Sequence, residues 1–469
     1  MSIIYRFILI FGIAAFVGSC SKLDLTPSTS LPTDVAISDI PSAQAALFGA
    51  YSLMQATGYY GRNMSVMAEL GSDNVYISKI NSGRLTTSYT RIYTSTDGDV
   101  TALWNNMYRV IAAANNIINR IDAVAGIQEE KNVIKGQALF IRALVYFDLS
   151  RVFAKPYNQD NGGELGVPIV LQSQEGAPAR NTLTEVYDRI INDLKNSKTL
   201  LSGTNASSKF TANQYAVSAL LSRVYLYKED NSNAIAEANA VINAGYTLTP
   251  VASLAGFYST PGTPEEIFTL KFTSNQTTGA EDFGNLYLQN GYGDVRVSPD
   301  LINIFDTVND KRYKKFIVPF TNNSNDEYQN IKFSGQDGVQ ALHSPKILRL
   351  AEVILNRAEA YVKTSNFAQA LVDLNTIRTN RGLAALVTVP DNQLLDSVLV
   401  EKRREFMFEG HRFFDLIRNK KAIERNYCNQ PTQMNNPNCN IPYNDSKVVS
   451  PIPQREMDAN PNMQQNPGY

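Results

Sequence analysis

The sequence predicts a mainly α protein in which a scaffold of paired helices is interrupted by a long, loop-rich, minor-β insertion. Three observations carry this. Apolar residues recur at helical spacing in two well-separated stretches, as in Ala138, Ile141, Val145, Leu149 and Val152, and again in Leu348, Ala351, Leu355, Ala358 and Val362. Two stretches share one internal spacing, Tyr225–Ala234–Ile235–Asn239 and Tyr361–Ala370–Leu371–Asn375, each across a polar turn. Between them, residues 246–343 are dominated by Gly, Asn, Asp, Thr and aromatic residues, with only short β-like runs.

In chain order, the N-terminus comes first. One basic residue, Arg6, precedes the apolar run Phe7–Val17, which ends in Gly18-Ser19-Cys20. This is the layout of a secretory signal, and the run is too short to span a bilayer. A cysteine after two small residues resembles the bacterial lipobox, although Val17 stands where leucine is commoner. The resemblance implies cleavage before Cys20 and acylation of its thiol, with an ordinary signal peptide and an incidental cysteine as the alternative. Two or three acyl chains anchor stably where one does not. Residues 1–19 are therefore expected to be a signal peptide and 20–32, rich in Ser, Thr and Pro, a lipid-anchored linker. Residues 33–469 form the body. With Cys20 lipidated, Cys428 and Cys439 remain, flanking an Asn- and Pro-rich loop in an exported chain. A disulfide between them is expected, two free thiols being the alternative.

Helices are expected over about 100–245 and 344–420. Thr182…Glu185 and Thr211…Gln214 fit the capping box, and Ser344-Pro345 supplies an N-cap followed by proline. The two matched stretches resemble the tetratricopeptide helix pair, in which a tyrosine packs near the turn and alanines admit the second helix closely. The loop-rich lobe is assigned to about 58–99 and 246–343, as coil with minor strands such as Glu266–Phe272 and Phe316–Phe320.

Charge excludes some partners. Lys and Arg number 43 against 44 Asp and Glu, so no basic face for nucleic acid or anionic membrane is implied. The two histidines, His343 and His411, lie far apart, and no HExxH, CxxC, GxSxG or phosphate-loop motif accompanies them. No EF-hand spacing appears either. No catalytic residue, metal or cofactor is assigned. Glu401–Arg418 (EKRREFMFEGHRFFDLIR) carries carboxylates one turn apart at Glu405 and Glu409, which a hydrolase could use. The favoured reading is a buried charge network locking a helix to the scaffold, desolvated by Phe406, Phe408, Phe413 and Phe414. Trp104 could stack on a sugar, but Tyr108 one turn on favours core packing.

Several segments, in order, resemble the SusD/RagB family of Bacteroidetes surface lipoproteins. These are Ala68–Asn74 (AELGSDN), Trp104…Ile118, Gln137–Pro168, Ala358-Glu359-Ala360-Tyr361 with Leu374–Arg378, Glu401–Arg418, and the end, Pro451–Glu456 with Gln465–Tyr469. The resemblance spans almost the whole mature chain. It implies an SusD-like fold and a surface-exposed, lipid-anchored outer-membrane protein. Such a protein binds oligosaccharide, in some members peptide, without cleaving it, and serves a SusC-like TonB-dependent transporter. A surface glycoside hydrolase and a tetratricopeptide-type adaptor are the competing functions. Candidate ligand residues come from the irregular stretches: Tyr59, Tyr60, Tyr76, Tyr89 and Tyr93 in the first, and Phe283, Tyr287, Tyr292 and Arg296 in the second. Aromatic faces stack on sugar rings, and planar donors pair with hydroxyls.

Overall fold

In the computed structural model, residues 37–172, 176–320 and 327–469 are described; the signal, the linker and Cys20 lie outside them. The chain enters on the helix Ile40–Met54, whose N-cap Asp39 and Ser42 satisfy each other's backbone N–H groups in a capping box. It then runs through two long antiparallel helices, Gly98–Arg120 and Gln128–Phe153. The second is buried on nearly every side between Gly136 and Ser150, rather than along a single face, because the helices Ile40–Met54, Gly98–Arg120 and Leu183–Leu200 all pack on it. Trp104 sits in this core, its ring 4.8 Å from Tyr108 and 4.9 Å, edge-on, from Phe153. A bidentate pair from Arg142 to Asp193, both bonds 2.8 Å, joins Gln128–Phe153 to Leu183–Leu200. The expected capping box at Thr182 and Glu185 forms. The one at Thr211 does not: Asn213 caps the next helix instead, accepting from the N–H groups of Tyr215 and Ala216.

Two helix pairs follow, Gln214–Lys228 with Asn231–Ile242 and Leu350–Lys363 with Phe367–Asn380. Ala234, Ala238 and Ala370 are fully buried where the second helix of each pair closes on the first. The pairs pack on one another although a long insertion separates them in sequence. Arg357 locks the contact, reaching Asp373 at 2.7 and 2.8 Å within its own pair and Asn239 at 2.6 Å across it.

The insertion leaves and returns through one gate. Glu266–Thr269 pairs antiparallel with Lys346–Arg349, and every residue of both strands is buried. This corrects the start expected at Ser344-Pro345. Those residues lead into a strand, and the helix begins at Leu350, because pairing with Glu266–Thr269 holds Lys346–Arg349 extended. The other strands are short, Ile317–Pro319 with Tyr328–Asn330 among them. The first irregular stretch also holds a helix that coil did not anticipate, Asn63–Leu70.

Glu401–Arg418 is not one helix. Asp391–Glu405 stops, and Arg412–Arg418 begins a new one. Between them Phe408 and Gly410 adopt left-handed φ values of 68° and 79°. The break is held from outside. Glu69 accepts the N–H of Phe408 at 2.9 Å and of Gly410 at 3.1 Å, and Gly410 leaves no room for a side chain against Ser65.

Candidate functional site

The charged residues of Glu401–Arg418 form a closed ionic junction. Glu405 receives Arg349 at 2.7 Å, Arg381 at 2.8 Å and Arg312 at 2.9 Å, while Glu409 receives Lys332 at 2.7 Å and Arg349 at 2.8 Å. Burial alone would push Glu409 up, but Arg349 and Lys332 hold it at about 2. Both carboxyls are taken up by buried cations that tie this segment to the scaffold. The cavity beside Glu409, lined by His343, Lys346 and His411, is about 50 Å³. That has room for a few water molecules.

The segments that looked like separate motifs converge here. Asp73 receives Arg412 at 2.8 and 2.9 Å, Asn74 receives Arg403 at 2.8 Å, and Arg418 and Lys402 both reach Glu359. At the C-terminus, Asn466 donates to the carbonyls of Phe153 at 2.9 Å and Ser450 at 2.7 Å. These side chains bind the chain to itself.

The two irregular stretches also meet. Val75–Ile77 pairs antiparallel with Val295–Val297, Val75 opposite Val297 and Ile77 opposite Val295. The pair continues outward, with Ser78 N–H donating to the Asp294 carbonyl at 2.8 Å and Ser82 N–H to the Asp294 carboxylate at 3.1 Å. The 78–84 loop is thereby laid beside residues 281–294. Arg84 lies 3.8 Å over the Tyr292 ring and donates to Glu281 at 2.9 and 3.0 Å. Ile80 stands 90% exposed at the tip. On the same lobe, a surface groove of about 700 Å³ is lined by Asn290, Gln329, Ser334, Gln336 and Gln340 around Leu288.

Most of the expected candidates are buried. Tyr59, Tyr60, Tyr76, Tyr89, Tyr93, Phe283, Tyr287 and Arg296 are all buried; of the nine, Tyr292 alone is half-buried. Tyr59 and Tyr60 donate to Asp148 at 2.6 and 2.7 Å under the scaffold, and burial pushes both phenols well up. Tyr76 donates to Glu327 at 2.9 Å, Tyr93 accepts from Arg91 at 3.1 Å, and Tyr89 lies under Arg425. Phe283 and Tyr287 pack on Phe333 and Phe408, and Arg296 stacks 3.6 Å over Phe320. These eight are buried against the scaffold or within the lobe, and Tyr60 and Phe283 line the small cavity beside Glu409. Loop composition could not separate packing from ligand contact, because an aromatic residue in an irregular segment carries no periodicity that reports whether it is buried. Arg84, Gln329, Gln336 and Gln340 were not singled out, because polar loop residues carry no periodicity.

Among the described residues, no group of three or more His, Cys, Asp or Glu is arranged to hold a metal ion. Among them, too, no helix is long and apolar enough to cross a membrane. Cys428 and Cys439 are joined in a disulfide.

A paired-helix scaffold, locked by buried ions and carrying a loop-built lobe, defines the class, and known proteins agree. Residues 23–226 match a SusD-like family model described as starch-binding and associating with the outer membrane, and residues 321–469 match the SusD family. A SusD superfamily protein of solved structure from Bacteroides thetaiotaomicron VPI-5482 superposes with a TM-score of 0.84 at 30% identity, over 92% of this chain and 100% of that one. A candidate sugar-binding protein from Bacteroides vulgatus ATCC 8482 superposes with a TM-score of 0.86 at 33% identity, over 92% and 99%. SusD-like protein P2 of Formosa agariphila is 25% identical over 99% of each chain. The chain belongs to the SusD family.

Proposed function

We propose that this protein is a cell-surface lipoprotein that captures oligosaccharide and passes it to a SusC-like TonB-dependent transporter, held to the outer membrane by acyl chains on Cys20. The observation that carries the reading is the pairing of Val75–Ile77 with Val295–Val297. It draws two distant loop stretches into one exposed polar face around Arg84 and Tyr292, beside the amide-lined groove. Asn and Gln side chains supply paired donors and acceptors for sugar hydroxyls, and a half-buried ring supplies a stacking edge. Binding without cleavage is the expected chemistry, since Glu405 and Glu409 are committed to buried arginines. A solved SusD-like relative from Bacteroides vulgatus, 24% identical, is described as carbohydrate binding.

The test is a binding screen of soluble protein beginning at Ser21 against oligosaccharide and peptide panels, with product analysis on every hit. Saturable binding of a saccharide that is recovered intact supports the reading. Released product would replace it with a hydrolase, and binding confined to peptides would replace the ligand class.

A further inference from the structure

We propose that the Cys428–Cys439 hairpin is a positioning device for the ligand face: bridged to the outer edge of Val75–Ile77, it fixes the 78–84 loop against residues 281–294. This rests on the ligand face described above. The Val75–Ile77 strand has two edges. The inner edge pairs with Val295–Val297. The outer edge is taken by the disulfide loop. Met434 N–H donates to the Ile77 carbonyl at 2.8 Å, Lys79 N–H donates to the Thr432 carbonyl at 2.7 Å, and Ser78 bridges antiparallel to Gln433. Two side-chain amides continue the attachment. Asn436, fully buried, donates to the Tyr89 carbonyl at 2.9 Å, and Asn438 donates to the Thr90 carbonyl at 2.7 Å. Backbone amides of the ligand-face loop thus point alternately to the two sides: Ser78 to Asp294 inward, Lys79 to Thr432 outward.

The loop is also tied across itself, the Asn436 N–H donating to the Asn429 side chain at 2.7 Å and the Asn429 amide to the Asn436 carbonyl at 3.0 Å, and Arg425 donates to the Asn438 carbonyl at 2.7 Å. Between the cysteines it is mostly polar, with Pro431, Met434 and Pro437 its apolar side chains, and its attachments to the 78–90 segment are hydrogen bonds. Closing the loop covalently removes the chain entropy that would otherwise oppose those few bonds. The hairpin base is held independently. Ile423–Glu424 pairs with Asn440–Ile441, and Arg425 reaches the carbonyls of Leu70, Gly71 and Ser72 at 3.1, 3.1 and 2.9 Å. Opening the disulfide therefore frees the tip that touches Ile77 and Lys79, and leaves the fold below it standing.

The experiment compares wild type with the C428S/C439S double variant by residue-resolved amide hydrogen exchange. In the variant, Lys79 and Met434 are expected to exchange about tenfold faster or more, while Ser78 keeps its protection. The oligosaccharide identified in the binding screen should bind the variant more weakly. Unchanged protection at Lys79 and Met434 would overturn the proposal. So would equal loss at Ser78, which would make the hairpin a general stabiliser, and so would loosened amides with unaltered affinity. If the double variant does not fold, native protein reduced with dithiothreitol and alkylated gives the same comparison. If no saccharide binds the wild type, the functional reading falls, while the amide pattern still decides whether the hairpin braces the loop.

Discussion

The junction around Glu405 and the face around Tyr292 are both stretches of irregular backbone, yet they are held by opposite means. At the junction, buried carboxylates from Asp391–Glu405 and from the break beyond it are surrounded by arginines from three other elements. No member can leave without stranding a charge. At the face, the backbone is held by short strand pairs and by side chains half open to solvent. The first arrangement tolerates little change; the second tolerates a great deal. A family can therefore keep one junction and carry many different faces. This also explains why the family could be read from the sequence and the ligand could not.

Breaking the junction should have the largest effect. Glu405→Ala leaves Arg349 and Arg381 buried and short of a counter-charge. A loss of about 3–5 kcal/mol is expected in urea unfolding, where removal of one partner from a buried pair typically lands. A loss below about 1 kcal/mol would mean that the junction is dispensable.

Tyr89→Ala and Tyr292→Ala set the two regions against each other directly. Tyr89 is buried beneath Arg425, so its truncation should cost about 3 kcal/mol. Tyr292→Ala should change stability by less than about 1 kcal/mol while weakening saccharide binding about tenfold. Melting curves and titration calorimetry separate the two, and the reverse pattern would move the ligand face away from Tyr292.

Gly410→Ala should cost about 1–3 kcal/mol, because a left-handed backbone and the Ser65 backbone both oppose a Cβ there. The binding constant of the folded fraction should not move.

Acid should weaken the scaffold in a defined window. Burial opposes ionisation of Asp73, Glu352 and Glu409, but Arg403 with Arg412, Arg223, and Arg349 with Lys332 respectively hold each at about 2. Groups depressed on folding contribute stability above their unfolded values, near 4, and lose it as pH falls toward 2. His411, which burial pushes down to about 4, acts in the same direction from about 6.5 downward. Unfolding free energy measured from pH 7 to pH 3 should therefore fall, slowly at first and then steeply below about pH 4.5. A flat profile would count against the ionic junction.

Legibility followed the same division. The helix pairs, the capping box at Thr182, the core role of Trp104 and the buried charges of Glu401–Arg418 all carry local signals, through spacing, capping chemistry or interleaved phenylalanines. The break at Phe408–Gly410 was hidden because its cause, Glu69, lies far away in sequence. Ser344-Pro345 misled for a related reason: a good helix start was overridden by a strand partner at Glu266–Thr269. The tyrosines of the two irregular stretches are buried by partners distant in sequence, Tyr59 and Tyr60 by Asp148 and Tyr76 by Glu327. No single-stretch pattern reports that.

The strand pair at the ligand face and the bridge that flanks it come from residues near 76, 296 and 433. Their order in space therefore bears no relation to their order of synthesis. Local helix pairs can close as soon as they emerge, but this small sheet must wait for almost the entire chain, and such distant pairings form slowly. A polypeptide that stops before Thr432 contains both helix pairs and still lacks the outermost segment of this face. Competence to bind would then be the last property the protein acquires, and pulse-labelled refolding should find the Lys79 amide among the latest to become protected.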